Sequence, residues 1–377
     1  MPSLDEFAAE KLAALDKAHL RRTLAETVRE DGIWVEWGGR RLLSFSCNDY
    51  LNLTHHPGVK GAAATALFKY GAGGGASRLV TGNHPLYAEL EERLARLKGT
   101  EAACVFGSGY LANAGIIPVL VGAGDLLLID RLSHACLFAG AQLSHAHVEI
   151  FRHNNMRHAR ELLEAERGKH RRALIVTDGV FSMDGDLAPV AELSALAKEF
   201  DAWLMTDDAH GIGVLAGGRG SGNSDVDLQM GTLSKAIGSY GGYVCASQLV
   251  IDLIKTRART LIYSTSLPPA SVGAAIEALK IIEKDKALTA RPLEKARTFT
   301  RAIGMPLAQS PIVPLMLGQP ERALAAAKRL EEEGFLVVAI RPPTVPDGTA
   351  RLRFAFTAAH EDADIARLAE VVRKVML

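Results

Sequence analysis

Leu204-Met205-Thr206-Asp207-Asp208-Ala209-His210-Gly211 sets the architecture: a short apolar run ends on an acid and presents a histidine three residues later. Comparable apolar runs recur at 126–130, 173–178, 202–207, 228–232 and 243–246, and stretches of helical length such as 190–200 separate several of them. Short runs without polar alternation suit strands buried on both faces, and their alternation with helices predicts an α/β fold around a mostly parallel sheet covered on both sides. In open sheets of that kind ligands gather at the carboxyl ends of the strands, where Asp178, Asp207 and Thr232 fall.

Outward from this centre, apolar positions at helical spacing predict an amphipathic helix over 3–30, and the β-rich runs 34–37 and 41–45 flank Gly38-Gly39 as a hairpin would. After residue 268 the pattern changes to helix, strand 312–317, helix 321–333, strands 335–340 and 351–356, and a terminal helix, which predicts a smaller α+β unit. The expected division is an N-terminal helix and hairpin over 1–47, a large α/β domain over 48–268 and a C-terminal α+β domain over 269–377. With 43 Lys plus Arg against 43 Asp plus Glu, no net field draws the 377-residue chain toward nucleic acid or an anionic membrane. The four cysteines are scattered without a C-x-x-C pair, as reduced cytosolic thiols would be. The N-terminus lacks the basic start and apolar run of an export signal, and the most apolar stretch, 115–129, is broken by Pro118, three glycines and Asp125. A cytoplasmic protein is expected. The glycine cluster 69–77 follows a helical stretch rather than a strand, which argues against a dinucleotide fingerprint.

Four groups carry chemistry. Asp207 leaves a strand and is followed by His210. Lys235 lies in Gly231-Thr232-Leu233-Ser234-Lys235, among hydroxyls and glycines suited to an anion. Phe106-Gly107-Ser108-Gly109-Tyr110 precedes a helix whose amides can hold a phosphate. His134, in Asp130-Arg131-Leu132-Ser133-His134, supplies a flat ring at the same sheet edge. Singly each has an ordinary reading: a helix cap, a solvated charge, a glycine-rich helix start, a polar surface group. Together, a carboxylate for a ring nitrogen, an amine for a covalent link, a stacking ring and phosphate donors are what pyridoxal 5′-phosphate (PLP) requires. The remaining histidines, His145, His147, His153, His158 and His170, fit no metal-ligand spacing with an acid and read as surface residues in an irregular polar region; no metal is expected.

At these residues the sequence resembles the α-oxoamine synthases, fold type I PLP-dependent transferases that condense an amino acid with an acyl thioester. The resemblance runs from about residue 20 to the C-terminus, through Ser46-Cys47-Asn48-Asp49-Tyr50-Leu51, Gly75-Ala76-Ser77-Arg78, the segments around His134 and Asp207, 178–186, and Tyr263-Ser264-Thr265-Ser266. It implies that Lys235 bonds the cofactor, Asp207 faces its ring nitrogen, His134 stacks on the ring, and Ser182 and His210 meet the ring hydroxyl. Gly109, Tyr110 and Thr232 would hold the phosphate, joined across a homodimer interface by Ser264 or Thr265. Asn48, Arg21 and Arg341 would serve substrates, with Thr344 beside them. The segment 340–346 with 348–353 favours a member using L-alanine and a pimeloyl thioester, carried by coenzyme A or an acyl-carrier protein. A sibling using glycine and acetyl-CoA, or a non-catalytic partner subunit, are the alternatives.

Overall fold

The computed structural model describes residues 3–17, 20–30, 32–222 and 225–376. The chain opens with α1 (Leu4–Lys17), none of whose residues is buried. The helix expected to reach residue 30 ends there, residues 18 and 19 lying outside the described ones; β1 (Thr27–Arg29), β2 (Trp34–Trp37) and β3 (Arg40–Ser44) follow as an antiparallel ribbon. Gly38 and Gly39 form the β2–β3 turn with φ of 56° and 75°, conformations that glycine adopts without a Cβ penalty. Helices α2 (Pro57–Tyr70) and α3 (Leu86–Lys98) lead into the sheet.

The central sheet contains β4 (Ala102–Phe106), β5 (Leu126–Asp130), β6 (His147–Phe151), β7 (Ala173–Asp178), β8 (Trp203–Asp207), β9 (Leu228–Thr232) and β10 (Gly242–Ala246) in the order β4-β10-β9-β8-β7-β5-β6. Only β10 runs against its neighbours. β4 and β6 go beyond the five expected strands; β6 is an edge strand with polar positions, and it replaces part of the expected irregular region. Between the strands lie α4 (Gly109–Leu120), α5 (Ala135–Ser144), α6 (Met156–Glu166) and α7 (Val190–Glu199). Strand residues alternate between two cores: Leu127, Ile129, Leu174, Val176 and Met205 pack with Ile116, Ile117 and Leu137 of α4 and α5, whereas Leu126, Leu128, Ile175 and Leu204 pack with Leu163 and Leu193 of α6 and α7. This period-two division is why the strands are apolar throughout.

Helices α8 (Gln248–Arg257), α9 (Arg259–Ile262), α10 (Pro269–Lys284) and α11 (Lys286–Ala302) precede β11 (Ile312–Gly318), α12 (Pro320–Glu332), β12 (Phe335–Leu336), β13 (Val338–Ile340), β14 (Ala350–Ala355) and α13 (Asp362–Met376). The expected boundaries at 47 and 268 do not follow the cores. Val272, Ile276, Leu279 and Ile282 of α10 pack with Leu53, Val59, Leu90 and Leu94 of the large body. At the other end, Ile33, Leu43 and Phe45 of the hairpin share a core with Phe299, Val313, Phe335, Leu352, Phe354 and Leu368. The expected single strand 335–340 is split as well: β12 extends the hairpin sheet by pairing with β3, and β13 pairs with β14 in a separate three-stranded sheet. Hairpin and C-terminal unit therefore form one small body, and α10 belongs to the large one. Among the described residues, no helix is long and apolar enough to cross a membrane.

Candidate active site

β7, β8 and β9 deliver Asp178, Asp207 and Thr232 to the same carboxyl edge of the sheet, Asp178 opposite Asp207 in register. Asp207 is buried, and both its oxygens accept hydrogen bonds: Oδ1 from the Ala209 amide at 2.9 Å and Oδ2 from Asn113 Nδ2 at 2.7 Å. Asn113 comes from α4, where it is the buried polar residue of an otherwise apolar helix. Asp178 accepts from the His134 amide at 2.8 Å. Burial, reinforced by the neighbouring Asp207 charge, pushes the Asp178 carboxyl well above the usual range.

The turn between Asp207 and His210 is fixed from below. Asp208 is fully buried; it pairs with Lys98 Nζ at 2.7 Å and accepts from Ser221 N and Oγ at 3.0 and 2.8 Å. Lys98 Nζ also donates to the Arg219 carbonyl. This clamp lets two adjacent acids point in different directions, Asp208 into the core and Asp207 to the sheet edge.

His210 stands between two partners, with Nε2 2.8 Å from Lys235 Nζ and Nδ1 2.7 Å from the Tyr50 hydroxyl. Burial, then the Lys235 charge, holds His210 well below the ordinary imidazole range. Burial lowers Lys235 too, against the pull of Asp207 and Asp178. An amine so placed spends more of its time neutral, as proton transfer to nitrogen requires. His134 caps α5 and sets Nδ1 2.8 Å from Cys136 Sγ, whose thiol burial and Asp207 raise. His134 itself is lowered by burial and Lys235, with Asp207 opposing.

Asn48, His134, Ser182, His210 and Lys235 line one pocket of about 290 Å³ together with Ser46, Met183, Val338, Ile340 and Arg353. Arg353 carries no sequence-based expectation of a role, although the alternation Arg351-Leu352-Arg353-Phe354 in β14 placed two cations on one face. Arg351 pairs with Asp184. Arg353 is buried, donates through Nε to the Ser182 carbonyl and through Nη2 to Asn48 Oδ1 at 3.2 Å, and among the described residues no carboxylate lies within ion-pair distance of it.

Gly109 and Tyr110 open α4 beside Thr232. A Cβ on Gly109 would stand 3.2 Å from Met230 Cε and 3.7 Å from Thr232 Oγ1, filling the space over the helix start. Thr232 Oγ1 lies 2.7 Å from Ser234 Oγ. Two expected groups sit apart from the pocket. Arg21 pairs with Asp16 at 2.8 Å in the exposed N-terminal segment, and the neighbouring Arg22 donates to Thr344 Oγ1 at 2.9 Å, which brings that segment against the loop carrying Arg341 and Thr344. Ser264 lines a separate depression with Arg259 and Tyr263, while Thr265 pairs with Ser77 in an isolated bridge.

The surface reading of the histidines needs correction at His153. Its ring joins Asp130 at 2.9 Å to Asp186 at 2.8 Å; burial works against its charge, but the two carboxylates outweigh burial and lift it to about 10. His147 and His170 also acquire an acid neighbour, Glu166.

The class I and II aminotransferase model matches residues 40–372. The chain is 69% identical over 343 residues to the 8-amino-7-oxononanoate synthase of Methylocella silvestris, covering 90% of this chain and 98% of that one. A serine palmitoyltransferase from S. paucimobilis with bound PLP superposes with a TM-score of 0.92 at 29% identity, covering 100% of this chain and 98% of the other. The 8-amino-7-oxononanoate synthase of Francisella tularensis superposes with a TM-score of 0.76 at 27% identity over 89% and 98% of the two chains. With the lysine, paired acids and histidines at the carboxyl edge of such a sheet, the chain belongs to the class I and II aminotransferase family and, within it, to the 8-amino-7-oxononanoate synthases.

Proposed function

We propose that this pocket joins L-alanine to a pimeloyl thioester, giving 8-amino-7-oxononanoate, carbon dioxide and free thiol, a step of biotin biosynthesis, with PLP as the cofactor. The observation that carries the reading is Arg353: a buried guanidinium without a carboxylate partner is costly, and it opens into the pocket beside Lys235, where an amino-acid carboxylate would complete it.

The residues present fit PLP. Asp207 offers a buried carboxylate for the ring nitrogen, Lys235 an amine of lowered basicity for the covalent link, and His134 a flat ring. Ser182 and His210 suit the ring hydroxyl. The space that Gly109 leaves open beside Thr232, at the start of a 12-residue helix, suits a phosphate. PLP, when bound, supplies a sink for the electron pair released at the amino acid's α-carbon.

The chain's own residues do the rest. Arg353 fixes the alanine carboxylate and so aims the α-hydrogen. Lys235 Nζ, its basicity lowered by burial, takes that proton, and His210 Nε2 at 2.8 Å is placed to relay it. Tyr50, hydrogen-bonded to His210 Nδ1, keeps the imidazole in that orientation. Asn113 and the Ala209 amide hold Asp207 in place. Arg21 and Arg341 are the proposed partners of the distal pimeloyl carboxylate, with Thr344 beside them; Arg21 must leave Asp16, an exposed pair whose loss costs under about 1 kcal/mol. A homodimer, in which Ser264 or Thr265 of one subunit completes the phosphate site of the other, is part of the proposal.

The test is product formation by the PLP-loaded protein, with L-alanine, glycine or L-serine offered against pimeloyl-CoA, pimeloyl-acyl-carrier protein or acetyl-CoA. The mass of 8-amino-7-oxononanoate, formed fastest from L-alanine and a pimeloyl thioester, supports the reading. Faster condensation of glycine with acetyl-CoA overturns it in favour of a sibling.

A further inference from the structure

At the opposite end of the sheet from Lys235, His147 opens the edge strand β6, while Glu166 ends α6 and His170 follows it. One ligand-capable atom from each of the three lies within 4.8 Å of the other two. Glu166 Oε1 is taken by Lys169 Nζ at 2.8 Å. Its other oxygen, Oε2, faces two imidazole nitrogens, His147 Nε2 at 3.9 Å and His170 Nε2 at 3.8 Å. These separations are too long for hydrogen bonds. They are slightly wider than the roughly 3.3 Å between two ligands of a tetrahedral ion with bonds of about 2.0–2.1 Å, so a shift of about half an ångström would close them on a cation.

His170 is mostly buried and, among the described residues, its Nδ1 has no hydrogen-bond partner, so its ring is positioned by packing, stacked on His147 with centroids 5.0 Å apart. His147 Nε2 lies 3.0 Å from Glu149 Oε1, two residues on along the same strand face, so a second carboxylate is in reach. Two imidazoles with a carboxylate form a borderline donor set suited to zinc, and the exposed side of His147 leaves a position for water.

We propose that His147, Glu166 and His170 bind one divalent transition-metal cation of the zinc class, with Glu149 beside them. The site lies about 13 Å along the strands from the carboxyl edge, counting four residues from His147 to Phe151 at about 3.3 Å each. The ion would tie the edge strand β6 to the connection between α6 and β7, a structural clamp and no part of the condensation.

The experiment uses PLP-loaded protein stripped with a chelator and titrated with zinc sulfate, with bound zinc measured by elemental analysis and the melting midpoint recorded. The expected result is one equivalent of zinc in the wild type above that in His147→Ala, affinity in the variant lower by at least about 100-fold, and a zinc-dependent rise in melting midpoint confined to the wild type, with turnover equal in both. His147 is half-exposed, so the variant should fold; Glu166→Gln serves as a second removal of a ligand. Equal zinc content and equal melting shift in the wild type and both variants would overturn the proposal.

Discussion

Replacing Arg353 by methionine removes from the pocket a buried charge that, among the described residues, has no carboxylate within ion-pair distance. A hydrogen bond to a charged group contributes about 1.5–3 kcal/mol, so two of them to the alanine carboxylate amount to roughly 3–6 kcal/mol before desolvation of the two ions is subtracted. If desolvation takes about half, some 1.5–3 kcal/mol remains, and at about 1.4 kcal/mol per factor of ten this is a loss of roughly 10- to 140-fold in kcat/KM for alanine. The loss should fall on alanine and leave the KM for the pimeloyl thioester within about threefold. Stability should change little: the Ser182 carbonyl, Asn48 and the Tyr50 hydroxyl each lose a donor, while a buried charge without a carboxylate partner among the described residues disappears. Arg353→Lys should recover only part of the activity, because an ammonium cannot grip a carboxylate in bidentate fashion. Steady-state kinetics with alanine as the varied substrate, alongside a urea melt, is the assay. A folded Arg353→Met enzyme whose kcat/KM for alanine stays within about threefold of the wild type would refute the reasoning.

Asp207→Asn should keep the fold and slow exchange of the alanine α-hydrogen into deuterated water by about 10²- to 10³-fold, since a neutral amide no longer sets a charge against the ring nitrogen; an unchanged exchange rate would sink that role. Lys98→Met leaves the fully buried Asp208 without its counter-ion and should cost about 3–5 kcal/mol in urea unfolding, with part regained in Lys98→Met combined with Asp208→Leu; a loss below about 1 kcal/mol would mean that the pair does not hold the turn. His153 is raised to about 10 from an unfolded value near 6.5, so its stabilisation is complete below about pH 6.5 and is lost as pH rises toward 10. The wild type should therefore lose stability relative to His153→Gln across that window, and parallel pH profiles would contradict the assignment.

The sequence made the middle of the sheet legible because burial on both faces writes a local pattern: continuous apolar runs such as 126–129 and 173–176, each followed by polar residues at the carboxyl edge of the sheet. Gly38-Gly39 was legible for a similar local reason. What escaped is non-local. β6 sits at an edge and carries His147 and Glu149 toward solvent, so its pattern is not apolar. β12 is two residues long and exists through its pairing with Leu43 and Ser44, far away in the chain. α10 looks like the start of a new unit, yet its apolar face fits the α2 and α3 surface. In the site, the lysine, acid and histidines stood out through their position after strands. Arg353 did not, because its lack of a carboxylate partner is a property of the folded pocket. Asn113 is a single polar residue in an apolar helix, and only the fold aims it at Asp207. His153 sat in a polar stretch with nothing local to join it to Asp130 and Asp186.

The most direct test of the central claim, that Lys235 carries the cofactor at the head of this pocket, is borohydride reduction of the PLP-loaded protein followed by peptide mapping. A phosphopyridoxyl group on the peptide containing Lys235, absent from Lys235→Ala together with turnover, is the expected result. A group found stoichiometrically on another lysine, or near-normal turnover in Lys235→Ala, would contradict it.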